Sequence, residues 1–281
     1  MTRFVNNMKT TFFLALMFGL ILFIGAQFGS RGLIMAFVLG GLMNIVAFFF
    51  SDKIALRAMR AQEVNESSAP DLVHMVERLA RNANLPMPRV YICPQQAPNA
   101  FATGRSPKHA AVAVTHGALQ LLDYDELEGV MAHELAHVKN RDTLISCVAA
   151  TIAGAINMLA WMAFWFGGMG GDRDRGGHPL VGLLMVLLAP IAAMLIQMAI
   201  SRSREFVADA DAARLAGTPQ GLINALQKLD ATSRRIPLHN GQLDSQNHMF
   251  IVQPLTGQSM AKLFSTHPST EDRIARLQEA G

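Results

Sequence analysis

The distribution of charge constrains this chain more than any other feature. Four stretches, residues 10–30, 32–51, 143–171 and 179–201, contain no Asp, Glu, Lys or Arg. A helix needs about 20 apolar residues to cross a bilayer, and each stretch is that long. Composition agrees: 51% of residues are hydrophobic and 16% charged, against roughly 25% charged in an ordinary soluble domain. The expectation is about four transmembrane helices in two hairpins. Arg3 and Lys9 precede the first run as in a signal peptide. No small-residue cleavage site follows, however, and the second run starts directly after Arg31, so the first hairpin is read as retained. Asn157, Pro190 and Gln197 interrupt the second pair, whose alternative is a pair of buried core helices.

The basic residues give an orientation. Of the 24 Lys and Arg, only Arg31, Arg173 and Arg175 fall in the short connections within the two hairpins. Basic residues stay on the cytoplasmic side, which puts both termini and the polar segments there. The polar part is then discontinuous, 52–142 and 202–281, with hairpin 1–51 ahead of it and hairpin 143–201 inserted. A net charge of +3, with no basic run interleaved with aromatics, argues against nucleic acid as a partner. No G-x-x-x-x-G-K-[ST] sequence is present, so no ATP is expected. Cys93 and Cys147 lie far apart in unlike settings and are read as two free thiols.

Within the polar segments, "DLVHMVERLARNANL" carries apolar residues at helical spacing, and "RVYICP" and "HAAVAVTH" read as strands. "LLDYDELEGVMAHELAHV" reads as one helix with Asp123 as its cap and Glu126 three residues on. "SRSREFVADADAARLAG" is a helix stopping at Gly217. A further helix starts at Thr218-Pro219, and "PSTEDRIARLQEA" is a last one. The fold class is therefore mainly α with a small β-sheet, an α+β catalytic domain, plus the four spans.

His133-Glu134-Leu135-Ala136-His137 matches H-E-x-x-H. Residues four apart lie one above the other on a helix, so both imidazoles reach one ion. Glu134 is then placed to take a proton from an attacking water, as a general base. A catalytic Zn2+, one per chain, needs a third protein ligand. Asn140 and Thr143 stand where a longer version of the motif would have Gly and His, so that ligand comes from elsewhere. Glu205 is the choice, because the inserted hairpin returns it to the membrane face that holds His137. Asp209, one turn later, can accept from the second ring nitrogen of a ligand histidine. Lys139, Arg141 and Asp142 separate the motif from the third apolar run and suit a headgroup layer, about 9 Å of helix long.

These pieces together resemble the HtpX family of membrane-bound zinc metalloproteases, the bacterial branch of the group that includes the CAAX prenyl endoprotease. The resemblance rests on the N-terminal hairpin, "NAFATG", "HELAH", the second hairpin, "EFVAD" and "THPSTEDRI". It implies a zincin-like (gluzincin) endopeptidase, multi-pass in the bacterial inner membrane. The substrates would be cytoplasmic parts of membrane proteins or unfolded polypeptides, in quality control and stress response, with no oligomeric state implied. It implies His133, His137 and Glu205 as zinc ligands and Glu134 as base. It also makes Asn99 and Ala100 an edge that pairs with substrate backbone. The His267…Arg273 segment would lie near the site, His267 as an oxyanion donor. An ordinary turn at 98–104 and a helix-entry histidine at 267 are the plainer readings. His74, His109, His116, His178, His239 and His248 carry no ligand spacing and are read as structural or solvent-facing.

Three other functions fit parts of the pattern. An intramembrane protease is disfavoured by the charges around the motif, from Asp123 to Asp142. A prenyl-protein protease has little here with which to enclose a lipid chamber. A catalytically silent scaffold or chaperone, using zinc as a clamp, has no use for Glu134 and would close the fourth coordination position.

Overall fold

The computed structural model describes residues 29–145, 148, 202–233 and 268–280, with scattered positions between 8 and 22. All of the second hairpin but residues 143–145 and 148 lies outside the described residues, as do His239, His248 and His267.

The first long element is α1 (Gly29–Ala58). It passes through Arg31 without a break, so that residue is not the turn of the first hairpin. Positions 8–22 that are described are helical and lie antiparallel to α1. The Asn44 amide donates to the Leu14 carbonyl at 3.2 Å, and the Phe18 and Phe37 rings meet edge-on at 5.5 Å. Among the described residues no single helix is long and apolar enough to cross a membrane. Phe37–Val46 and Phe48–Ala58, meeting at 61°, satisfy that test only as a bent pair. Ile34, Phe37, Val38, Leu42 and Ile45 are all exposed along this helix.

Four strands form one mixed sheet: β1 (Gln62–Val64), β2 (Arg89–Cys93), β3 (Ala100–Thr103) and β4 (Ala111–Thr115), in the order β1-β2-β4-β3. β2 and β4 are parallel, and both edges run antiparallel to their neighbours. The two strands read from the sequence are the central pair. β3 falls on the segment that the resemblance marked as an edge, from Asn99 and Ala100 on, while β1, three residues long, was not distinguishable. Side chains alternate between the two faces. Val90, Val112 and Val114 join the main core, while Tyr91, Cys93, Ala111 and Ala113 face a second cluster with Phe101, Leu56 and Met59. The last turns of α1 are therefore packed against the sheet rather than ending at residue 51.

On the main-core side lie α2 (Pro70–Asn82), α3 (His116–Leu121), α4 (Tyr124–Asn140), α5 (Arg202–Ala216), α6 (Gln220–Ser233) and α7 (Thr270–Ala280). The helix expected over residues 121–138 is α4, which starts at Tyr124 with Asp123 as its cap; the separate α3 ends at Leu121, with Leu122 extended between them. The Asp123 carboxylate accepts from the Glu126 N–H, and Glu126 Oε2 accepts from the Asp123 N–H at 2.9 Å. Lys228 of α6 then closes on Glu126 at 2.6 Å. α4 is buried on nearly all sides and packs on α5, α6, α2 and β3. Gly129 lets it approach α6: a Cβ there would overlap the Leu222 backbone. α4 stops at Arg141, which takes a left-handed φ of 61°. The chain thus breaks direction between the motif and the third apolar run.

Candidate metal centre

His133, Glu134 and His137 sit in the buried middle of α4, and Glu205 stands in the first turn of α5 beside them. His133 Nε2 and His137 Nε2 are 3.1 Å apart. Glu205 lies 3.6 Å from each, through Oε2 to His133 and Oε1 to His137. One ligand atom from each of the three residues falls within 4.8 Å of the others. A tetrahedral zinc with bonds of about 2.0–2.1 Å would hold its ligand atoms roughly 3.3 Å apart, so the spacing fits.

The outer ring nitrogens explain why the inner ones face each other. His133 Nδ1 is 2.9 Å from Asp209 Oδ1, and His137 Nδ1 is 3.1 Å from Asp142 Oδ2. A ring that donates through Nδ1 to a carboxylate presents a bare lone pair at Nε2. Two such lone pairs and a carboxylate converge on one point. That arrangement is repulsive by itself and is relieved by a proton on one imidazole or by a metal ion between them. The donor set is the two-imidazole, one-carboxylate kind that suits zinc.

Asp209 is itself held. Arg273 of α7 is 1% exposed and donates Nε to Oδ2 at 2.9 Å and Nη2 to Oδ1 at 2.6 Å. Burial alone would raise the Asp209 pKa, but the Arg273 charge and the His133 hydrogen bond bring it down to about 2. For His133 burial works downward, and the Asp209 and Glu205 carboxylates override it to give about 9. Asp142 is 4% exposed and takes Arg204 Nη1 on Oδ1 at 3.2 Å. It does not face a headgroup layer, as its position in the sequence suggested. The left-handed turn at Arg141 folds it back onto His137.

Glu134 is buried, and desolvation pushes its carboxyl up from the ordinary value. Its Oε2 accepts from the Ala102 N–H of β3 at 2.8 Å. The Thr115 N–H donates to the Asn99 carbonyl, so 99/115, 101/113 and 103/111 are the hydrogen-bonded pairs of the ladder. The main-chain groups of Ala100 and Ala102 therefore point away from β4, and the Ala102 N–H meets Glu134 of α4. Asn99 and Ala100 are buried at the start of this edge. The strand reaches the site at Ala102, two residues further than the sequence suggested.

The structure brings together His133, Glu134, His137, Glu205, Asp209 and Arg273. Asp142, Arg204 and Ala102 were missed. Asp142 had a signal, a carboxylate five residues after the second histidine. The other two depend on contacts across 62 and 32 residues.

A histidine pair one turn apart, a glutamate from a second helix and a buried glutamate beside them define a metallopeptidase site. Residues 66–280 match the sequence profile of peptidase family M48, and the chain belongs to that family. It is 52% identical to the protease HtpX homolog of Desulforapulum autotrophicum over 278 residues, 97% of this chain and 89% of the relative. It is 53% identical to that of Nostoc sp. over 97% and 96%. The crystal structure of S. mikatae Ste24p shares the fold at a TM-score of 0.53 and 18% identity, covering 98% of this chain and 66% of that one.

Proposed function

We propose that this metallopeptidase is a membrane-anchored zinc endopeptidase of the cytoplasmic membrane face, with His133, His137 and Glu205 as ligands and Glu134 as general base. The observation that carries it is the convergence of two Nε2 atoms and one carboxylate within 3.6 Å. Zinc bound there supplies a Lewis acid for the scissile carbonyl and acidifies the attacking water. Glu134 takes that water's proton and passes it to the leaving amine. The Ala102 N–H holds the Glu134 carboxylate in one orientation. Asp209 and Asp142 hold the two ligand rings in one tautomer, with Arg273 and Arg204 behind them. The main-chain groups of Ala100 and the Ala102 carbonyl, the Ala102 N–H being held by Glu134, pair with an extended substrate backbone, so cleavage favours flexible or unfolded segments. Such a site at the end of an apolar hairpin suits removal of misfolded membrane proteins.

The ligand set is tested by zinc content after dialysis. Wild type is expected to retain one zinc, and Glu205→Ala to lose it while an exposed control, Glu279→Ala, does not. Equal retention in both variants would sink the ligand assignment.

A further inference from the structure

The β3–β4 connection carries a second surface, apart from the metal centre. Arg105 follows β3 by two residues, and its guanidinium lies over the Phe49 ring of α1 at 5.4 Å. Lys53 stands over Phe50 at 5.5 Å. Phe49 and Phe50 are exposed and close the uncharged run 32–51, and Arg57 and Arg60 follow on the same segment. Lys108 is exposed on the loop that holds Arg105. Among the described residues none of Lys53, Arg57, Arg60, Arg105 and Lys108 has an ion-pair partner. The nearby acid, Asp52, is buried and engaged by Arg89 at 3.3 Å. Aromatic rings capped by unpaired cations at the end of an apolar helix form an interfacial pattern. Here a loop of the catalytic sheet supplies part of it.

We propose that the loop 104–109, with the end of α1, is a docking surface for anionic phospholipid headgroups, and that it sets the height of the catalytic centre above the bilayer. The inference rests on the membrane reading above. Its charge suits an anionic layer, and it continues the apolar face of α1. Arg105 is three positions along the chain from Ala102, whose N–H touches Glu134. At about 3.3 Å per residue Ala102 then lies at most roughly 10 Å from Arg105, so the cation that meets the headgroups and the catalytic centre share one short stretch of chain. A chain leaving the membrane beside Phe49 would meet β3 at its Thr103 end.

The test uses the full chain in vesicles, in a Cys93→Ser, Cys147→Ser background that keeps peptidase activity. A fluorophore is placed at Lys108→Cys, at the partly exposed Glu77→Cys of α2, or at Phe37→Cys in the apolar run. Headgroup-nitroxide lipid is expected to quench the Lys108 label several-fold more than the Glu77 label, and acyl-chain nitroxide to quench the Phe37 label. Quenching at Lys108 no greater than at Glu77, with Phe37 quenched, overturns this inference alone. An unquenched Phe37 label overturns the membrane reading and this inference with it. With the label moved to Ser106→Cys, nitroxide-phosphatidylglycerol should outcompete nitroxide-phosphatidylcholine. Arg105→Gln should reduce that preference about fivefold, as should Lys108→Gln. A preference unchanged by both substitutions would refute the anionic part.

Discussion

Arg273 is the residue whose removal the structure makes most informative. Arg273→Met keeps much of the volume and deletes both hydrogen bonds to Asp209, which is 2% exposed. Losing one partner of a buried charge pair costs about 3–5 kcal/mol. His133 still contacts Asp209 at 2.9 Å, which argues for the lower end, about 3 kcal/mol. At roughly 2–4 °C per kcal/mol for a protein of this size, the melting temperature should fall by about 10 °C. Asp209 would also lose its fixed orientation against His133, and zinc affinity should fall about 10–100-fold. Thermal unfolding followed by circular dichroism in detergent, at matched zinc content, reads the first effect, and chelator competition the second. Adding Asp209→Leu removes the stranded carboxylate, so the double variant should be more stable than additivity predicts, by at least about 1 kcal/mol. A shift for Arg273→Met within about 2 °C of wild type, or strict additivity of the pair, would refute the reasoning.

Other expectations follow from the same contacts. Asp142→Leu releases His137 Nδ1 and should weaken zinc binding about tenfold or more, read by chelator competition, while Lys139→Ala, at a half-exposed contact with Asp211, should not. Gly129→Ala forces a methyl into the Leu222 backbone and should cost about 1–3 kcal/mol, measured as a lower melting temperature without change in the metal's ligand set. Burial pushes the Cys93 thiol up to about 11. Its folded pKa is above the unfolded value near 9, so the neutral thiol is favoured in the fold. That stability is full below pH 9 and is lost as pH rises toward 11. Iodoacetamide at pH 8 should modify Cys93 only after denaturation.

The parts of this architecture that were legible in the sequence are those written in local spacing. H-E-x-x-H, the Asp123–Glu126 cap and the pair Glu205–Asp209 each need only one helix to be placed. The two central strands carry runs of β-formers. What was not legible depends on tertiary partners or single backbone angles. Residues 62–64, Gln-Glu-Val, become a strand only because β2 offers an edge. Ala102 has no side-chain chemistry to announce it; its N–H matters because α4 passes beside β3. The positive φ at Arg141 turns Asp142 from a boundary charge into the partner of His137, and nothing in the local residue pattern requires that angle. The same turn interrupts the helix that the sequence reading carried from the motif through residues 139–142 toward the third apolar run.

The central claim is that Glu134 moves the proton in a hydrolysis at the His133–His137–Glu205 centre. Casein cleavage in detergent by wild type and by Glu134→Gln, at matched zinc content, tests it most directly. Gln keeps the shape and can accept from the Ala102 N–H, so zinc occupancy should stay the same. Removing a general base costs about 10²–10⁴-fold in rate, and the variant should lose at least a hundredfold of its turnover. Equal turnover at equal zinc would contradict the account.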